Sequence, residues 1–157
     1  MIPYADTNCF TRLCLELDGA ETARRWVDEA MLQATPPLPV TWLTELEIIN
    51  AFQRCVFVAR PEGRLRVTPE FADAAQAEFR SALTTGEFVC PTQMPYSRLK
   101  VRFEELALRH TAKHGFRTYD LLHVASALLL GCDTFWSFDL KARDLAILKG
   151  LRVPDLA

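Results

Sequence analysis

The apolar runs of this sequence are short, and amphipathic stretches of helical length separate them. "IPYA" reads as a first strand, Leu38–Thr41 as a second, "GEFVCP" as a third, "DTFWSF" as a fourth and "LRVP" as a last short one. From Asn8, Phe10, Leu13, Cys14 and Leu17 recur at helical spacing until Asp18-Gly19. Residues 20–33 then put Ala23, Trp26, Val27, Ala30 and Met31 on one helix face. Pro36, Pro37 and Pro39 exclude helix before "LTELEIINAFQRCVFVA", which is a long amphipathic helix. "RPEGRLRVT" is a turn-rich connector, and Thr68 with Pro69 behind it opens the helix "PEFADAAQAEFRSALTT". Helices follow over 95–114 and 118–130, parted at His114-Gly115, and "DLKARDLAILKG" is a final helix closed by Gly150. Short apolar strands alternating with helices predict a parallel sheet of four to five strands with helices on both faces. At 157 residues, without repeat or linker, the chain is expected to form one α/β domain over 1–157.

The balance of charge narrows the partners. The formal net charge is −2, so polyanion binding has to come from local basic patches or bound cations. The five cysteines (9, 14, 55, 90 and 132) are odd in number and never spaced as CxxC, which argues against a disulfide framework or structural zinc and fits a reducing cytosol. Asp6 interrupts the apolar start before any signal sequence could form, and "LLHVASALLLG" is too short to span a bilayer. A soluble cytoplasmic protein with no membrane association is the expectation.

The acids carry the chemical information. In open parallel α/β sheets, ligands bind beyond the carboxyl ends of the strands. Asp6 ends the first strand and Asp139 ends "TFWSF", so both project onto the same edge. Glu47 and Asp120 lie near the starts of helices that are otherwise apolar, "ELEIINAF" and "TYDLLHVASALLLG". Each alone has a structural explanation, as a helix cap or as a partner for a helix dipole. Four together repel one another, and a cation is the natural remedy. All-oxygen donors select a hard divalent ion, Mg²⁺ or Mn²⁺, over zinc. Such a centre suits phosphodiester hydrolysis and lets an acidic protein accept a polyanion.

"YADTNCF", "TELEIINAF", "RTYDLLHVASALLLGCDTFWSFD" and "KARDLAILKGL" closely resemble a PIN-domain ribonuclease of the VapC toxin type, in the right order and over nearly the whole chain. The resemblance implies a three-layer PIN-like sandwich and metal-dependent endonucleolytic cleavage of RNA. It makes Asp6, Glu47, Asp120 and Asp139 the catalytic, metal-binding acids, with Asn8 and Ser137 in support. Glu45 ranks below Glu47, because two residues along a helix point to a different face. The resemblance also implies Mg²⁺ or Mn²⁺ as cofactor, a homodimer, and a cognate antitoxin as partner.

His123 follows Asp120 by three residues and shares its helix face, where it can orient a carboxylate, touch substrate or simply pack. His110 and His114 lack the glutamate of an HExxH site and read as a solvated helix face. Arg98, Lys100, Arg102, Arg109, Lys113 and Arg117 form a basic stretch before Asp120, and Lys141 and Arg143 follow Asp139. Arg117 and Lys141 are the cations nearest the acids and the first candidates for RNA phosphates. Two rivals stand beside the nuclease. One is a non-catalytic RNA- or protein-binding module of the same fold. The other is an aspartyl-phosphate phosphatase, although its chemistry wants a second Asp where this chain has Asn8.

Overall fold

Strand β1 (Pro3–Ala5) pairs in parallel with β4 (Thr134–Trp136), setting Tyr4 opposite Phe135 and Ala5 opposite Trp136. A second parallel pair, β2 (Leu38–Val40) with β3 (Val89–Pro91), sets Val40 opposite Pro91, and β1 lies beside β2. The computed structural model describes residues 1–59 and 67–156, so most of the connector expected at 60–68 lies outside the described residues. Three residues per strand give short ladders, and the sheet consists of two parallel pairs rather than one unbroken ladder.

The expected last strand at "LRVP" is not formed. Arg152 makes a single bridge to Thr134, and Pro154 has no N–H with which to extend it. Helices α1 (Thr7–Cys14) and α2 (Ala20–Leu32) join β1 to β2. Helices α3 (Trp42–Ala59) and α4 (Pro69–Thr85) join β2 to β3. Thr68 caps α4 as expected, its hydroxyl accepting from the Phe71 N–H at 3.2 Å. The helix expected over 95–114 is interrupted: α5 (Tyr96–Leu106) passes through a π-helical segment, Ala107–Thr111, into the short α6 (Ala112–His114). Helix α7 (Thr118–Leu129) leads to β4, and α8 (Leu140–Leu148) follows it.

Side-chain alternation along the strands divides the core into two layers. Ala5, Val40, Val89 and Trp136 face helices α1–α4 through Phe10, Trp26, Ile48, Phe52 and Phe79. Tyr4 and Phe135 face α5, α7 and α8 through Leu99, Leu106, Val124 and Leu145. The Tyr4 and Phe135 rings stack with centroids 5.8 Å apart. This is the sandwich that the alternation predicts. All five cysteines are free thiols. No helix among the described residues is long and apolar enough to cross a membrane.

Candidate active site

Because β1 and β4 run parallel, their carboxyl ends share one edge, and the Asp6 N–H donates to the Trp136 carbonyl at 3.0 Å to close it. Asp6 and Asp139 are both helix N-caps. Asp6 Oδ1 accepts from the Cys9 N–H at 2.8 Å, and Asp139 Oδ1 accepts from the amides of Lys141 and Ala142 at 2.9 and 3.3 Å. Each cap fixes a carboxylate through one oxygen and leaves the other uncommitted to its helix. Burial pushes the Asp6 pKa up against the pull of His123, the Ser137 hydroxyl and the Cys9 amide, with Asp139 adding to the rise. For Asp139, burial also acts upward, but Arg117 and the helix amides outweigh it and hold the carboxyl below its usual range. Ser137 is fully buried, and its Oγ accepts from the Asp139 N–H at 2.9 Å.

Asp120 sits in the first turn of α7 and is buried. Its Oδ2 accepts from the Arg117 N–H at 2.9 Å, and the Arg117 guanidinium reaches both its oxygens at 3.2 Å. The same Arg117 Nη2 lies 2.5 Å from Asp139 Oδ2. One cation therefore sits between two acids carried by neighbouring elements, Asp120 in the first turn of α7 and Asp139 at the N-cap of α8.

Glu47 extends from the second turn of α3. Its Oε2 accepts from the Thr7 hydroxyl at 2.9 Å and lies 2.5 Å from His123 Nε2. His123 Nδ1 is 2.9 Å from the Tyr4 hydroxyl, which in turn lies 3.5 Å from Thr44 Oγ1. Burial lowers the His123 pKa, but Tyr4, Glu47 and Asp6 around the ring reverse this and raise it to about 10. Both ring nitrogens are therefore engaged, Nε2 by the Glu47 carboxylate and Nδ1 by the Tyr4 hydroxyl. Glu45, by contrast, is exposed and makes none of these contacts.

Asp6, Glu47, Asp120 and Asp139 line one cleft of about 420 Å³ together with Arg117 and His123. Asn8 also lines it, but its Oδ1 accepts from Arg12 Nε at 2.9 Å rather than meeting an acid. A sequence profile of the PIN domain matches residues 4–148. The chain belongs to the PIN domain family. Among solved structures, Mycobacterium tuberculosis VapC20, a sarcin-ricin loop cleaving toxin, is similar at a TM-score of 0.64 and 17% identity, covering 98% of this chain and 99% of that one. No curated protein matches the chain in sequence.

The donor chemistry of this PIN domain suits a hard divalent cation, since four carboxylates and no thiolate line the cleft. As they stand, no three Asp, Glu, His or Cys side chains among the described residues are grouped to hold an ion. Arg117 spans Asp120 and Asp139 instead, and His123 engages Glu47. Lys141 is not on the cleft; its Nζ donates to the His114 carbonyl at 2.7 Å. Much of the basic stretch is spent within its own helix, in the pairs Lys100–Glu104, Arg102–Glu105 and Arg109–Glu105. His110 and His114 are half-buried rather than solvated, with His114 stacked on Phe116 at 5.3 Å. Thr7, Arg54, Tyr119 and Ala142 also line the cleft, and no local sequence pattern marks them as site residues. In sequence Tyr4 looks like any residue of an apolar strand, and its place beside His123 has no local signal.

Proposed function

We propose that this PIN domain is a Mg²⁺- or Mn²⁺-dependent endoribonuclease and the toxin component of a VapBC-type toxin–antitoxin pair, acting in the cytoplasm as a homodimer. The observation that carries this reading is the convergence of Asp6, Glu47, Asp120 and Asp139 on one cleft from four separate segments. Four carboxylates gathered on one cleft repel one another, and that repulsion has to be offset. Bound by these acids, Mg²⁺ or Mn²⁺ would supply Lewis acidity toward a phosphate and activation of water.

The chain's own residues then do the positioning. The capped oxygens hold Asp6 and Asp139 rigidly at the strand ends. His123, wedged against Tyr4, keeps the Glu47 carboxylate pointed into the cleft, with the Thr7 hydroxyl as its other partner. Arg117 is 63% exposed at the cleft, where its guanidinium can meet a phosphate oxygen. Tyr119, more than half exposed on the same cleft, offers a ring for a neighbouring base.

Incubation of the protein with RNA in Mg²⁺, in Mn²⁺ and in EDTA tests the reading. Cleavage abolished by chelation and by Asp6→Asn or Asp120→Asn supports it. Equal cleavage by wild type and both variants sinks it. The rival favoured by one observation is a non-catalytic module, since Arg117 and His123 already compensate the acids without metal. That rival predicts RNA or protein binding with no chelator-sensitive turnover. Co-purification with the product of an adjacent small gene tests the antitoxin pairing.

A further inference from the structure

The acid cleft opens into a larger groove of about 930 Å³ between α1, α3 and the start of α4, and Thr7, Asn8 and Arg54 line both. Arg54 follows Glu47 by seven residues on α3. It therefore lies on the same face two turns on, about 10 Å along the helix axis. The other guanidinium on the acid cleft, Arg117, is paired with Asp120 and Asp139, whereas no carboxylate among the described residues pairs with Arg54.

The facing wall repeats the pattern. Arg12 on α1 donates to Asn8 Oδ1 and to the Asp18 carbonyl, both neutral acceptors, and lies over the Phe138 ring at 4.8 Å; no carboxylate among the described residues pairs with it. The floor between these two guanidiniums is apolar, with Leu15, Ala51, Val58 and Phe71. Glu16 and Asp18 also line the groove, and Glu16 is occupied by Arg24 at 2.8 Å. A groove with cationic walls and an apolar floor, leading out of an acid cleft, has the features of a track for one nucleic-acid strand: phosphates meet guanidiniums and bases cover apolar surface.

We propose that Arg54 binds a backbone phosphate of the substrate RNA next to the scissile one, steering the flanking single strand out of the cleft along the α1–α3 groove. This rests on the ribonuclease reading of the acid cleft. The test measures binding of a short single-stranded RNA oligonucleotide in EDTA over a range of salt, and cleavage of the same RNA in Mg²⁺. Arg54→Gln is expected to weaken binding several-fold and to flatten the dependence of log K on log salt by about 0.7, the value of one single-strand phosphate contact. Arg54→Lys restores the slope, and Arg80→Gln, on α4 outside both cavities, leaves it unchanged. In Mg²⁺, Arg54→Gln raises KM and leaves kcat near wild type.

An unmoved salt slope overturns the proposal. A fall in kcat with KM unchanged overturns it as well. If wild type cleaves RNA while the slope is unmoved, Arg54 fails and the ribonuclease reading stands. If wild type binds RNA through Arg54 without cleaving it, the ribonuclease reading fails and the strand track stands. If wild type binds no RNA, both fail.

Discussion

The Arg117 guanidinium reaches from the start of α7 to the carboxylate of Asp139, with Nη2 2.5 Å from Oδ2. Because Nη2 also meets Asp120 Oδ1 at 3.2 Å, the pair is really a cation shared by two acids. Electrostatically this is the position a divalent ion would serve: it offsets the repulsion of carboxylates crowded on one sheet edge. A divalent ion bound there, as proposed, would compete with a side chain already in place.

That competition gives the first prediction. Arg117→Gln leaves Asp120 and Asp139 facing each other without their shared cation, so the metal-free variant is less stable than wild type. The loss is about 1 kcal/mol or less, since Arg117 is 63% exposed and solvent screens its pairs. Adding MgCl₂ raises the Tm of the variant more than that of wild type, because the ion no longer displaces a guanidinium. Thermal melts with and without Mg²⁺ check this, and equal Mg²⁺ shifts in the two proteins would count against it.

Tyr4→Phe gives the second. The substitution keeps the ring stacked on Phe135 but removes the hydroxyl that lies 2.9 Å from His123 Nδ1. The buried His123 Nδ1 then lacks its hydrogen-bond partner, which costs about 1–3 kcal/mol in denaturant unfolding. Glu47, held by His123, loses its orientation, and the apparent metal affinity falls by about 10- to 100-fold, as for other supports of metal ligands. Mg²⁺ titration of RNA cleavage reads the second effect. A variant with wild-type Mg²⁺ dependence would show that Tyr4 serves only the core.

What the sequence made legible follows physical range. The strand–helix alternation and the strand-end acids are local patterns, so β1–β4 and the edge placement of Asp6 and Asp139 were readable. Glu47 over Glu45 was also readable, because helix geometry turns residues two apart to different faces. The structure seats Glu47 against Thr7 and His123 and leaves Glu45 in solvent. The bond between Tyr4 and His123 was not readable: its partners stand 119 positions apart, and Tyr4 looks like any apolar strand residue. Lys141 was misplaced for a related reason. Its proximity to Asp139 in sequence says nothing of the His114 carbonyl, 27 positions away, that accepts from its Nζ. At "LRVP", local β preference was outweighed by the missing N–H of Pro154, leaving one bridge.

Gly19 carries the third prediction. It sits at φ +91° as the residue before α2, and a Cβ built there would lie 2.7 Å from Phe138 Cε1. Phe138 is stacked on Trp26 at 5.0 Å and lies under Arg12 at 4.8 Å, so it has little room to retreat. Gly19→Ala therefore combines left-handed strain with a clash and destabilises by about 1–3 kcal/mol in denaturant unfolding. Adding Phe138→Leu relieves the clash but not the strain, so a double-mutant cycle returns part of the loss. Strict additivity would show that the clash plays no part.

The fourth concerns acid. Asp133 ties the N-terminus to the start of β4: its carboxylate accepts from the Ile2 N–H at 2.9 Å and the Thr134 hydroxyl at 2.7 Å, and pairs with Arg152 at 3.0 Å. Burial acts to raise its pKa, but these partners prevail and hold it at about 2, below its ordinary 3.8. A carboxyl whose folded pKa is depressed stabilises the fold above its unfolded value and loses that contribution as pH falls through the folded one. The stabilisation is therefore complete above about pH 4 and is withdrawn between about pH 4 and pH 2. At 46% exposure the contribution is screened, to about 1 kcal/mol. Asp133→Asn should lower stability at neutral pH by that amount and flatten the wild-type decline across that acid window. Because Asp133 anchors the edge on which β1 meets β4, the loss should appear first as faster amide exchange at Tyr4 and Phe135. Parallel acid titrations of wild type and Asp133→Asn would refute the assignment.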